Sequence, residues 1–118
     1  MEKWECKLRL RIGLFRRTVY FTFEWGAWFM AYDIQNCTPD EFNELPPETQ
    51  TMALSYGAVL WGCTKRRSRV PCSYEQMSAA LMRASRADNQ KIGIAMSNAQ
   101  RPEWLKIEPG EDEDEKKK

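Results

Sequence analysis

No histidine occurs anywhere in the 118 residues. That removes the commonest general base and the commonest metal ligand together. The four cysteines, Cys6, Cys37, Cys63 and Cys72, form no C-x-x-C pair, so neither a zinc knuckle nor a thioredoxin-type redox motif is supported. They are expected as buried free thiols, since two disulfides would require an oxidising compartment. No uninterrupted apolar run reaches the roughly 18 residues of a membrane span. The most hydrophobic segment, Val19 to Ile34, carries Glu24 in its middle and Asp33 at its end. No basic stretch followed by an apolar run and a cleavage site opens the sequence, so no secretory signal is expected. A soluble, cytoplasmic protein without metal or cofactor is the expectation.

A large excess of one charge is also missing. Eighteen Lys and Arg face 17 Asp and Glu, a net charge of +1. Gly110 to Lys118 hold five acids and three lysines, and the rest has 15 bases against 12 acids. An excess of that size does not imply nucleic-acid binding by bulk charge. Aromatic residues, by contrast, are plentiful: five Trp, five Phe and four Tyr. That content excludes a disordered chain, and the length fits one domain.

Residues 4–12 alternate, with Trp4, Cys6, Leu8, Leu10 and Ile12 on one side and Glu5, Lys7, Arg9 and Arg11 on the other. A period of two predicts a half-buried β-strand, which Gly13 ends. Residues 14–32 allow two readings. Val19, Phe21, Phe23 and Trp25 could continue as a second strand and form a hairpin. No turn dipeptide interrupts the segment, however, and Phe15, Val19, Phe23 and Met30 fit helical spacing, so a helix is favoured. Thr38-Pro39-Asp40-Glu41 reads as a capping box opening a short helix that Pro46 closes. Pro47 opens a longer helix with Met52, Tyr56, Val59, Leu60 and Cys63 inward. Ser73-Tyr74-Glu75-Gln76 is a second capping box, and its helix has Met77, Ala80, Leu81 and Ala84 on the apolar face. A last helix is expected over about 88–99, with Ile92, Ala95, Met96 and Ala99 aligned, stopped by Pro102. The expected class is mainly α: a small single domain, residues 1–107, with one N-terminal β-strand followed by four or five helices. Residues 108–118 are expected to be a disordered charged tail. A lone strand would leave its backbone edge unpaired, which points to association.

No catalytic set stands out. Glu24, alone among aromatics, is the one carboxylate placed to be desolvated, and the plainer reading pairs it with Arg16 or Arg17. The run Lys65-Arg66-Arg67-Ser68-Arg69 lies in the expected loop 64–72. It could contact phosphates, or simply be a solvated connection past a helix C-terminus. The aromatic run Tyr20, Phe21, Phe23, Trp25, Trp28, Phe29, Tyr32 exceeds what one small core requires. A helix cannot turn all its sides to one core, so Trp25, Trp28 and Phe29 are the candidate partner-binding residues.

Over about residues 5–100 the order of these features resembles the tail assembly chaperones of long-tailed bacteriophages and related prophages. Arg11-Ile12-Gly13-Leu14 is similar to that family's entry into its first helix. Phe23-Glu24-Trp25-Gly26 resembles the acid and glycine placed late in that helix. Met52 to Cys63, Met-Ala-Leu-Ser-Tyr-Gly-Ala-Val-Leu-Trp-Gly-Cys, looks like its small-residue helix, and the capped helix at Ser73 follows after a loop. The basic 65–69 segment, with Arg83 and Arg86 further on, departs from the family's more acidic pattern. The resemblance implies a non-enzymatic factor, active in the host cytoplasm and absent from the finished particle. It would bind the tape measure protein and help recruit tail tube protein. Excess aromatic surface implies a homo-oligomer as well. The rival expectation is a small nucleic-acid-binding regulator using Lys65, Arg66, Arg67 and Arg69.

Overall fold

The computed structural model describes residues 1–101; Pro102, the end of the expected domain and the charged tail lie outside the described residues. The chain order is β1 (Glu5–Ile12), β2 (Phe15–Thr22), α1 (Trp25–Gln35), α2 (Pro39–Asn43), α3 (Pro47–Arg66), α4 (Tyr74–Met82) and α5 (Arg86–Asn98). Helices dominate, as the capping boxes and apolar spacing predict, but the single-strand expectation is corrected: β1 pairs antiparallel with β2 from Glu5↔Thr22 to Ile12↔Phe15.

The turn is the two residues Gly13 and Leu14, and Gly13 has φ +64°. A positive φ at the first central position only is the type II′ pattern, which suits strand twist and favours glycine there. This overturns the first half of the favoured helix over 14–32, since Phe15–Thr22 is strand, while the chain from Trp25 is helical as α1. Phe15, Val19 and Phe23 are four residues apart, and four is an even number. The same spacing therefore shares one face of a strand as readily as one face of a helix. The free strand edge inferred for residues 4–12 is filled on one side by β2. Arg11 to Leu14 accordingly lead into a hairpin turn rather than a helix. Phe23-Glu24-Trp25-Gly26 stand at the start of α1, with Glu24 as its N-cap, not late in a helix.

One face of the hairpin is core. Cys6, Leu8, Leu10 and Ile12 on β1, with Val19 and Phe21 on β2, are all buried. β2 packs on α3, while β1 packs on α4 and α5. The opposite face carries Lys7, Arg9 and Arg11 into solvent. Asn98, fully buried at the end of α5, donates from Nδ2 to the Lys3 carbonyl at 2.9 Å and so ties α5 to the residues that lead into β1.

Both capping boxes are present. Thr38 Oγ1 accepts from Glu41 N, whose carboxylate accepts from Thr38 N; Ser73 and Gln76 repeat the exchange. Ser85 supplies a third N-cap, accepting from Asp88 N at 3.1 Å. Ala84, expected on the apolar face of the helix opened by Ser73, falls beyond its end at Met82, and α5 starts at Arg86, two residues before its expected start. A further correction concerns 64–72, because α3 continues through Lys65 and Arg66. Arg67 then stops it in the left-handed region at φ 55°, with Arg67 N–H donating to Thr64 O and Ser68 N–H to Cys63 O. That pair of bonds is a Schellman ending, which satisfies two of the last carbonyls without glycine.

Candidate functional site: the outward aromatic face of α1

The buried residues of α1 are its smallest, Gly26, Ala27 and Ala31. They sit against α3 at very short range. A Cβ on Gly57 of α3 would lie 2.4 Å from the Ala27 carbonyl oxygen, and a Cβ on Gly26 would lie 2.1 Å from Trp61 Cδ2. Small residues on both helices are thus what lets the two axes approach, much as ridges settle into grooves. The large residues of α1 must then go elsewhere. Trp25 is 67% exposed and Phe29 59%, while Trp28 and Tyr32 are half-buried. A helix that buries its alanines and shows its tryptophan is the reverse of an ordinary surface helix.

The exposed rings form a connected series. Trp25 tilts against Trp61 with centroids 5.0 Å apart and meets Phe29 edge-on at 5.4 Å. Phe29 meets Tyr32 at 6.2 Å, and Tyr32 meets the buried Phe42 of α2 at 5.3 Å. These edge-to-face contacts are the favoured aromatic geometry and hold the rings in place without burying them. Beside them lies an apolar hollow of about 440 Å³, lined by Phe23, Trp25, Trp28, Phe29, Tyr32 and Ala99 among others. The sequence expectation that Trp25, Trp28 and Phe29 lie together is met on one helix around one hollow. Tyr32 belonged to the same aromatic run. Trp61 was not singled out, although the glycine at 26 is the signal that something large must cover α1 there.

Glu24 anchors the near end of this face. Its Oε1 accepts from Trp61 Nε1 at 3.4 Å and pairs with Lys65 Nζ. The expected partners Arg16 and Arg17 are thereby replaced by a residue of α3, because β2 carries those arginines away from the α1 N-terminus. The hydrogen bond that Lys65 donates to Glu24 raises the Lys65 pKa.

The basic run does not act as one group. Lys65 is held by Glu24, and the Arg66 guanidinium lies 4.9 Å over the Tyr20 ring. Arg67 serves as the left-handed helix stop, and the Arg69 carbonyl accepts from the Cys63 thiol at 3.5 Å. The four cysteines are all unpaired, with Cys6 and Cys63 buried and Cys37 and Cys72 half-buried. Burial pushes the Cys6 thiol up to about 12, against which Lys91 acts weakly. Among the described residues no group of three His, Cys, Asp or Glu is arranged to hold a metal, and no helix is long and apolar enough to cross a membrane.

Comparison with protein-family models, curated proteins and solved structures gives no match.

Proposed function

We propose that this protein is a non-enzymatic tail assembly chaperone of a long-tailed phage or prophage, working in the bacterial cytoplasm on the tape measure protein and helping to recruit tail tube subunits. The reading joins the sequence resemblance to one observation, the inverted α1. Its small residues are spent on close contact with α3, and Trp25 and Phe29 face solvent beside an apolar hollow. An amphipathic client helix needs an apolar surface that accepts many related faces, and rigid aromatic rings supply large area at little entropic cost. The same face would serve self-association while no client is present, which gives the homo-oligomer a physical cause.

The nucleic-acid reading based on residues 65–69 loses support, because the Lys65 and Arg66 side chains already have partners. The test is co-expression with a tape measure protein, scored by the soluble fraction of that client. Trp25→Ala and Phe29→Ala should each keep the melting temperature within a few degrees. Each should weaken client retention by about 2 kcal/mol, the range of interface hot spots. Retention unchanged in the double variant, with the fold intact, would remove this face from the binding reaction.

A further inference from the structure

The tip of the β-hairpin carries a second unusual surface, away from α1. Arg11 and Arg16 stand directly opposite each other across the two strands. Like charges in that position repel, and no structural need of the hairpin explains them. Arg83, the C-cap of α4, adds a third guanidinium, its Nη2 donating to the Arg11 carbonyl at 3.3 Å. Together with Gly13, Gln76 and Ala79 these three arginines line a hollow of about 600 Å³. A smaller hollow beside it brings in Arg9, and Asp88 is the one carboxylate at its margin. None of Arg9, Arg11, Arg16 or Arg83 makes an ion pair among the described residues. At the turn itself Leu14 is 83% exposed and Phe15 66%.

We propose that this hairpin tip is a docking surface for an acidic, amphipathic segment of a protein partner, its carboxylates received by Arg11, Arg16 and Arg83 and its apolar side by Leu14 and Phe15. The guanidinium fork suits bidentate capture of carboxylates, and four arginines against the single carboxylate of Asp88 supply the charge complementarity. Arginine beside exposed apolar and aromatic side chains is also the composition of protein interfaces.

Two observations favour a protein segment over a phosphate backbone. Residues 1–101 hold 14 bases against 10 acids, a weak field for steering a polyanion. Leu14 and Phe15 would have no partner on a phosphate backbone. The surface stands apart from the α1 face and does not depend on the chaperone reading.

The experiment titrates the full-length protein into labelled peptides of about 20 residues, enough for one amphipathic helix. One peptide has Leu on one face and Glu on the other, a second has Lys in place of Glu, and a DNA oligonucleotide serves as the third probe. The Glu peptide should bind at least tenfold more tightly than the Lys peptide, whatever apolar binding the α1 face adds to both. Arg11→Glu, which sets opposite charges across the strand pair and so keeps the hairpin, should lower Glu-peptide affinity at least tenfold. Arg83→Gln, outside the hairpin, should weaken it without touching the turn, and Leu14→Ser with Phe15→Ser should weaken it again. The preference for Glu over Lys should be unchanged in Trp25→Ala, which separates this site from the aromatic one. Equal binding of Glu and Lys peptides, or affinity indifferent to both arginine variants, would overturn the proposal. Tighter binding of the oligonucleotide, insensitive to the Leu14 and Phe15 changes, would overturn it in favour of nucleic acid.

Discussion

Replacing Gly57 by alanine is the sharpest probe of how α1 is held. In an open helix the change stabilises by about 1 kcal/mol through propensity alone. Here the new Cβ would lie 2.4 Å from the Ala27 carbonyl oxygen and 3.1 Å from the Ala31 nitrogen. Both are backbone atoms of α1, so no rotamer change relieves the overlap. A relaxed carbon–oxygen contact is about 3.3 Å, so α1 would have to move by roughly 1 Å and loosen its packing along the crossing. Overpacking of that kind costs about 1–3 kcal/mol, which for a domain of this size lowers Tm by roughly 5–20 °C. Gly93 on α5 provides the control, since a Cβ there would meet nothing within 4 Å. Gly93→Ala should raise Tm by a few degrees, about 0.5–1 kcal/mol. Thermal melts of the two variants beside wild type decide the matter. If Gly57→Ala melted at or above wild type while Gly93→Ala behaved as expected, the close α1–α3 crossing would be wrong. So would the account of why the aromatics face outward.

Ser73→Ala should remove the capping bond to Gln76 N and destabilise by about 1 kcal/mol, read by urea denaturation. Arg67→Gly should stabilise by up to about 1 kcal/mol, since Arg67 holds φ 55° where only glycine is unstrained; a lower melting temperature would contradict that. The Cys6 thiol is raised from 9.0 to about 12, mainly by burial, so its contribution is complete below pH 9.0 and is lost as pH rises through that window. Wild type should therefore lose more stability than Cys6→Ala between neutral pH and alkaline pH, and parallel losses would refute the burial of the thiol.

The helix boundaries marked by Thr38 and Ser73 were legible because a capping box is chemistry local to four residues. The alternation of residues 4–12 was legible for a similar reason: the hairpin buries one face only, so period two survives in the letters. The second strand was not, because Phe15, Val19 and Phe23 satisfy both periods, and the turn that decides between them is a single glycine followed by leucine. The length of α3 was hidden by its last turn, which is as polar as a loop because Lys65 and Arg66 lie beyond the core. For the site, aromatic excess pointed to Trp25, Trp28 and Phe29 before any geometry. The partners of Glu24 and Arg66 were invisible, since 41 residues separate Glu24 from Lys65 and only the fold brings them together. The arginine hollow was equally out of sight, as it needs the register that sets Arg11 against Arg16 and the helix end that brings Arg83 to them.

The pairing of the first strand with the last helix has a consequence for synthesis on the ribosome. The apolar side of β1 is covered by α4 and α5, and Asn98 closes the contact onto Lys3. At about 5–20 residues per second, the stretch between Ile12 and Asn98 takes roughly 4–17 s to translate. The hairpin and its α3 support can form well before that, since neither waits for the last helix. Cys6, Leu8, Leu10 and Ile12 then emerge early and face water or a bystander for several seconds until α5 leaves the exit tunnel. Slow codons late in the message would lengthen that interval, and with it the chance that two nascent chains meet through their first strands before either is finished.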